Sequence, residues 1–313
     1  MKKFIITIDT EGDNLWQWKR GDTIRTDNTK YLPRFQNLCD KYGFKPTWLT
    51  NYEMMLDNDY VDFIKEVVNT GRGEIGMHLH AWSTPPEYCL KAETDSAPYL
   101  IEYPENIMEE KICSMTNIIK EKTGIVPISH RAGRWAMNET YFQLLKKYGY
   151  HYDCSVTPHI NWNENQGQTA DSQGTDYSKY SESPCKIEGI LEIPVTIRYV
   201  HRVFGKDVNT AKGYLKKLYH FIKGKKIWLR PTGDNLEEML WLVDYIEKSS
   251  DEYIMFMIHS SELMPMGSPT FKNEEDIERL YQDLDILFKR ISKGFEGVTV
   301  GEYGNSIALR HEK

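Results

Sequence analysis

Residues 4–13 read Phe4-Ile5-Ile6-Thr7-Ile8-Asp9-Thr10-Glu11-Gly12-Asp13. An apolar run ends abruptly in acids. A run this short, closed by a turn residue, fits a strand buried in a parallel sheet. The acids then sit where the chain leaves the core. On a strand, Asp9 and Glu11 are two apart and face the same way. An unpaired buried carboxylate is costly, so such a pair is hydrated, ion-paired or metal-bound. Taken alone, the same residues also fit an acidic turn after a strand.

Outward from this stretch, short apolar runs alternate with helical spacing. Pro46–Leu49, Glu74–His80, Ile128–Arg131, Ile190–Val200, Ile227–Leu229, Tyr253–Ile258 and Val298–Val300 are predicted strands. Leu32, Phe35, Leu38 and Cys39 form one stripe within a helix over residues 30–42. Val61, Ile64, Val67 and Val68 mark another that stops at Gly71. Ile107, Ile112, Met115, Ile118 and Ile119 mark a third over 105–121. Asn138 is a predicted N-cap for a helix carrying Tyr141, Leu144, Leu145 and Tyr148 on one face. Further helices are predicted at about 209–223, 235–248 and 274–292. This alternation predicts an α/β fold with a mainly parallel sheet. No linker or short repeat divides the 313 residues, so one domain over 1–313, a closed or distorted barrel, is expected. Two polar, Trp- and Tyr-containing stretches, 81–103 and about 156–187, are expected to be loops. In a barrel, loops at the C-terminal strand ends wall the site.

Composition excludes several classes. Lys plus Arg is 39 and Asp plus Glu is 46, a net charge of −7. Nonspecific nucleic-acid binding needs a basic footprint that is missing here. No run approaches the roughly 18 apolar residues of a spanning helix. Met1-Lys2-Lys3 and the apolar residues after it are too short for an export signal, and acids follow at once. Five cysteines without a CxxC pair argue against a disulfide framework or a cysteine zinc site. The expected location is the cytoplasm. Oligomeric state is not legible.

Three further constellations carry chemistry. His78 and His80, in Glu74-Ile75-Gly76-Met77-His78-Leu79-His80, lie two apart at the end of a strand. Their Cα atoms should be about 6.5–7 Å apart on one face, which suits two imidazoles on one metal ion. His130-Arg131-Ala132-Gly133-Arg134-Trp135 delivers Arg131 from an apolar strand. Its guanidinium needs a carboxylate, and Asp9 is the obvious partner. Ile254-Met255-Phe256-Met257-Ile258 delivers His259 to another strand end.

Together these motifs resemble the NodB-homology polysaccharide deacetylases, a family of metal-dependent carbohydrate esterases. The resemblance spans nearly the whole chain, from Thr7 to about Val300. Asp9 and Glu11 match the motif holding a catalytic Asp and a metal-binding acid. Glu74 to His78 matches the motif with a metal-ligating His. Arg131, with Gly133 and Trp135, matches the Arg turn that steers the catalytic Asp. Ile258-His259 matches the motif with a catalytic His. Tyr152-Asp153-Cys154-Ser155 and Leu191-Glu192-Ile193-Pro194 are similar to supporting segments.

The resemblance implies a distorted (β/α) barrel of about seven strands with its site at the C-terminal strand ends. It implies one divalent ion, expected to be zinc, on Glu11, His78 and His80. Asp9, held by Arg131, is the implied general base, and His259 the implied general acid, supported by Asp153 or Glu262. The chain departs from the family pattern in three places. The usual second histidine, four residues after the first, is Trp82, with His80 the close substitute. The usual adjacent Asp pair is Asp9-Thr10-Glu11. The usual Pro of the Arg motif is Gly133. The sequence therefore reads as a divergent branch.

Trp16 and Trp18 follow the acidic motif, and Trp82 and Trp135 follow two others; aromatic faces stack on sugar rings, and Trp16, Trp82 and Trp135 are expected to contact a sugar. The expected function is removal of an N- or O-acetyl group from a carbohydrate, in surface-glycan biosynthesis. Two alternatives stand beside it: hydrolysis of a non-sugar amide or ureide C–N bond, and a non-catalytic glycan-binding relative. An amidohydrolase-type barrel fits less well, because there the HxH pair belongs on the first strand. Arg230, after an apolar strand, is expected to reach the site, with no mechanism assigned to it.

Overall fold

The structure is a computed structural model that describes residues 1–202, 204 and 223–311. The strands are β1 (Lys2–Thr10), β2 (Thr47–Thr50), β3 (Glu74–Leu79), β4 (Ser129–Ala132), β5 (Tyr152–Asp153), β6 (Cys185–Ile187), β7 (Ile190–Glu192), β8 (Ile197–Val200), β9 (Lys225–Trp228), β10 (Tyr253–His259) and β11 (Phe295–Val298). The helices are α1 (Leu32–Lys41), α2 (Tyr52–Leu56), α3 (Asn58–Asn69), α4 (Glu105–Thr123), α5 (Glu139–Lys147), α6 (Leu236–Lys248), α7 (Glu274–Ile291) and α8 (Val300–His311).

The sheet runs β10-β1-β2-β3-β4-β5-β7-β6, with β11 beside the first half of β1. The seven strands from β10 to β7 are parallel throughout, and only β6 pairs antiparallel. This bears out the α/β class and the count of about seven barrel strands. The barrel curls without closing by a full ladder. Thr196 N–H donates to the Met255 carbonyl at 3.4 Å, and Met257 N–H to the Leu229 carbonyl at 3.3 Å. These isolated bonds bring the β8–β9 ribbon onto the free edge of β10.

Every residue of β10 is buried, as a strand covered on both faces must be. Alternate residues serve two cores. Phe4, Ile6, Ile8, Ile254, Phe256 and Ile258 pack outward under the helices. Ile5, Leu49, Met255, Met257 and Cys154 pack inward. Asp9, His78, Arg131 and His259 continue the inward set by strand periodicity. Register then stacks them: Asp9 pairs with His259, and His78 with Arg131.

Several boundaries differ from expectation. Predicted strand 190–200 splits into β7 and β8 around Pro194, which has no N–H for a ladder. Predicted strand 298–300 ends at Val298, because Thr299 starts α8. Glu302 N–H donates to Thr299 Oγ1, and Glu302 Oε2 accepts from Thr299 N–H, both at 3.1 Å. That reciprocal capping box overrides the β-branched residues. The predicted Asn138 cap is present, its Oδ1 accepting from Tyr141 N–H at 2.8 Å. The helix predicted at 209–223 lies outside the described residues but for its last position. No helix among the described residues is long and apolar enough to cross a membrane.

Candidate active site

Arg131 is fully buried, and all its nitrogens are engaged. Nη1 donates to Asp9 Oδ1 at 2.6 Å, Nη2 to Thr7 Oγ1 at 2.9 Å, and Nε to the Cys154 carbonyl at 2.9 Å. The guanidinium thus crosses the barrel interior from β4 to β1. Burial pushes the Asp9 carboxyl upward, but Arg131 outweighs it with help from His78 and His259, so its pKa lies below the ordinary value. Asp9 is an anion held in one orientation. Its other oxygen, Oδ2, lies 3.7 Å from His259 Nε2.

His259 is fixed from behind. Glu262 Oε2 accepts from the His259 backbone N–H at 2.9 Å and lies 3.2 Å from its Nδ1. Arg230 Nη2 is 3.2 Å from Glu262 Oε1 and 3.1 Å from the same Nδ1. Burial raises the Glu262 pKa, yet Arg230 and the bonds to His259 overcome that and hold it at about 2. Of the two carboxylates expected beside His259, the structure selects Glu262. Asp153 belongs to another group: its Oδ1 lies 2.6 Å from His130 Nδ1, and Ser155 Oγ donates to it at 2.9 Å. Arg230 reaches the site as expected and has a definite place there, on Glu262.

Glu11, His78 and His80 converge. Glu11 Oε2 is 3.4 Å from His78 Nε2 and 3.2 Å from His80 Nε2. Among the described residues they are the group of three whose ligand atoms lie within 4.8 Å of one another, and all are buried. His78 Nδ1 lies 3.0 Å from the Arg131 carbonyl. An N–H there leaves the Nε2 lone pair aimed at Glu11, the tautomer a metal ligand needs. Burial lowers the His80 pKa, which favours its neutral form. Burial lowers the His78 pKa too, but the Asp9 and Glu11 carboxylates outweigh it and raise it, the field that would also attract a cation. Two imidazoles and a carboxylate form the mixed N/O donor set of catalytic zinc sites, so these residues fit a divalent ion.

His80 Nδ1 has no partner among the described residues. Its ring plane is set instead by Trp82, stacked at 4.3 Å and 20°. Gly133 is the other half of that fit. A Cβ there would lie 2.4 Å from His80 Cδ2 and 2.4 Å from the Leu79 carbonyl oxygen. Only glycine leaves room there for both the His80 ring and the Leu79 carbonyl.

A cavity of about 390 Å³ brings most of the predicted residues together. Asp9, Glu11, His78, His80, His259, Trp16, Trp82 and Trp135 line it, while Arg131 lies beneath its floor. Trp16 meets His259 edge-on at 5.0 Å, and its Nε1 donates to Ser261 Oγ at 3.1 Å. Trp135 covers Arg131, with its ring centre 5.0 Å from the guanidinium carbon. Arg134 and Trp135 both hold φ near +60°, an uncommon conformation for side chains of this size. That tight turn brings both to the cavity wall.

Trp18, expected beside the acidic motif, also lines the wall, while the sequence reading missed Asp95 and Arg134 there. It also missed Ser260, whose Oγ accepts from Glu11 N–H at 2.9 Å and from Asn28 Nδ2 at 2.8 Å. The signal for Ser260 was its place directly after His259. Of the two expected wall loops, 81–103 supplies Trp82, Asp95, Ser96 and Ala97. Loop 156–187 does not line the cavity; it braces the first loop from outside. The Gln168 carbonyl accepts from Glu93 and Thr94 N–H, and Glu102 accepts from Gln168 and Thr169 N–H. The second loop spends its polar groups on the first, not on the pocket.

No family model matches the chain. A peptidoglycan deacetylase from Helicobacter pylori is 25% identical over 125 residues, 40% of this chain and 36% of that protein's length. A Mycobacterium smegmatis structure assigned as a polysaccharide deacetylase superposes with TM-score 0.53 and 12% identity over 99% of this chain and 92% of its own. A GH57 branching enzyme from Thermococcus kodakaraensis superposes with TM-score 0.53 and 12% identity, over 96% of this chain and 70% of its own. At such identity the structural likenesses establish fold and leave activity to the site. The chain has the polysaccharide-deacetylase fold that its motifs resemble.

Proposed function

We propose that this protein is a metal-dependent carbohydrate deacetylase that hydrolyses an N- or O-acetyl group. One observation carries the reading: an Arg-clamped carboxylate and a Glu-backed imidazole face each other at 3.7 Å, beside the Glu11, His78 and His80 cluster. The H. pylori relative and the aromatic lining of the pocket support a sugar as substrate.

Asp9 takes a proton from the attacking water, whose oxygen bonds to the acetyl carbonyl carbon. Arg131 keeps Asp9 ionised and directs Oδ2 into the pocket. His259 then gives its Nε2 proton to the departing nitrogen or oxygen as the C–N or C–O bond breaks, releasing acetate. With both ring nitrogens protonated, Glu262 accepts from Nδ1–H and the proton to be donated sits on Nε2, while Arg230 keeps Glu262 charged. A divalent ion on Glu11, His78 and His80, zinc in this reading, would polarise the carbonyl and ease ionisation of water. Trp16 and Trp82 flank the acid and one metal ligand and limit water access around them.

The test is acetate release from N-acetylated oligosaccharides by zinc-supplemented protein, with Asp9→Asn as the control. Stoichiometric acetate that vanishes in the variant supports the reading. Ammonia without acetate from a ureide or cyclic amide would replace it with C–N hydrolysis of a non-sugar. The proposal extends to a cytoplasmic step in building a surface glycan. All five cysteines are free, which accords with a reducing compartment, and cell fractionation tests it.

A further inference from the structure

His130, Asp153 and Glu192 are partners in the register of three adjacent parallel strands, β4, β5 and β7. All three are fully buried, and none takes part in the reaction proposed above. Strand alternation puts His130 and Asp153 on the face opposite to Arg131 and Cys154, under α5, where His130 Nε2 is 2.8 Å from the Tyr141 hydroxyl. A core that accepts three titratable groups in a row needs a reason, because apolar residues would fill the space without a desolvation cost.

Asp153 is the charged member of the row. Burial raises its pKa, but hydrogen bonds from Glu192, His130 and Ser155 outweigh burial and keep the carboxylate ionised. Burial first, and then the Asp153 charge, push Glu192 well up, so Glu192 is the protonated acid of the pair. Burial lowers the His130 pKa, so its neutral ring gives Nδ1–H to Asp153 Oδ1 at 2.6 Å and accepts from Tyr141 at Nε2. Asp153 accepts from Ser155 twice, from Oγ at 2.9 Å and from the backbone N–H at 3.1 Å.

These bonds converge on the residues either side of Arg131. The β4–β5 ladder has two residue pairs, Ser129 with Tyr152 and His130 with Asp153, and stops short of Arg131. Side chains take over from there. Ala132 N–H donates to Ser155 Oγ at 2.9 Å, and that hydroxyl donates on to Asp153. Arg131 lies between two residues tied to Asp153, with its Nε on the Cys154 carbonyl at 2.9 Å and its Nη1 on Asp9 at 2.6 Å. A shift of about 1 Å in a positioning group can cost about 10²-fold in rate, so the placement of this strand end matters at Asp9.

We propose that Asp153 is a positioning residue for the reaction: with Ser155 and His130 it extends the β4–β5 junction past Arg131 and so fixes the guanidinium that orients Asp9. This rests on the deacetylase reading for the role of Asp9.

Asp153→Asn tests it with two readouts. The first needs no substrate. In ¹⁵N-labelled protein the Arg131 Nε–H resonance, assigned by its loss in Arg131→Lys, should exchange with solvent about tenfold faster or more in the variant. The second is acetate release at saturating zinc, where kcat should fall about tenfold or more with KM near the parental value. In an Arg131→Lys background the same change should cost less than about twofold, because the group it positions is gone. An unchanged exchange rate overturns the proposal, and so does a full further loss of kcat in the Arg131→Lys background. Should Asp153→Asn lose its cooperative melt, Ser155→Ala carries the test: it cuts the link to Ala132 and leaves His130 on Asp153. The same two changes in direction are expected, and no change in either overturns the proposal. A wild type that releases no acetate sinks the deacetylase reading by itself, and the exchange rate still decides whether Asp153 holds Arg131.

Discussion

Asp9 and His259 are direct partners in the register of two adjacent parallel strands, and their side chains meet at 3.7 Å inside the barrel. Two residues 250 positions apart in the chain are thus set side by side by backbone pairing alone. Preorganisation of this kind belongs to rigid elements rather than loops.

If Asp9 and His259 are base and acid, Asp9→Asn and His259→Gln should each lower kcat by about 10²–10⁴-fold with little change in KM. Metal content should stay near wild type in both, since neither belongs to the Glu11, His78 and His80 cluster. The pair of readouts separates lost proton transfer from lost metal. Equal loss of metal and activity would contradict the division of roles.

Gly133→Ala should force the His80 ring from its place, because the new Cβ would come 2.4 Å from His80 Cδ2 and from the Leu79 carbonyl oxygen. Overpacking costs about 1–3 kcal/mol, read from chemical denaturation. Combined with His80→Ala the cost should be less than additive, because half of the clash is gone. Full additivity would mean that Gly133 and His80 are independent features.

Glu262 shapes the acid limb of stability. Its folded pKa is depressed from the ordinary 4.5 to about 2. Its contribution is therefore complete above the ordinary value and is lost as pH falls through the folded one. The loss is on the order of 3 kcal/mol. Melting temperature should fall more steeply between about pH 4.5 and 2 in wild type than in Glu262→Gln. Arg230→Gln should narrow the same window from below, because Arg230 is the strongest influence holding Glu262 charged. Parallel profiles would contradict the Arg230–Glu262 link.

Most of the site was legible because strand periodicity is strict. Asp9, His78 and His80 needed only period-two spacing, and Arg131 needed only a buried charge seeking a carboxylate. The α/β alternation was legible for the same reason. Side-chain partners brought in from distant elements were harder. Ser260 and Arg230 act through Glu11 and Glu262, and no local spacing announces that. The split of strand 190–200 turned on the single missing N–H of Pro194. The end of β11 turned on a four-residue capping box, Thr299 to Glu302, hidden in a β-branched run. Loop 156–187 was misread as a wall because its polar composition suits either a ligand or another loop.

Elemental analysis of purified wild type and His80→Ala, side by side after incubation with zinc, tests the central claim most directly. About one equivalent in wild type, and a small fraction of that in the variant, is the expected result for a site that needs all three ligands. Absence of bound metal in wild type would contradict the proposed hydrolase, and full retention in the variant would remove His80 from the site.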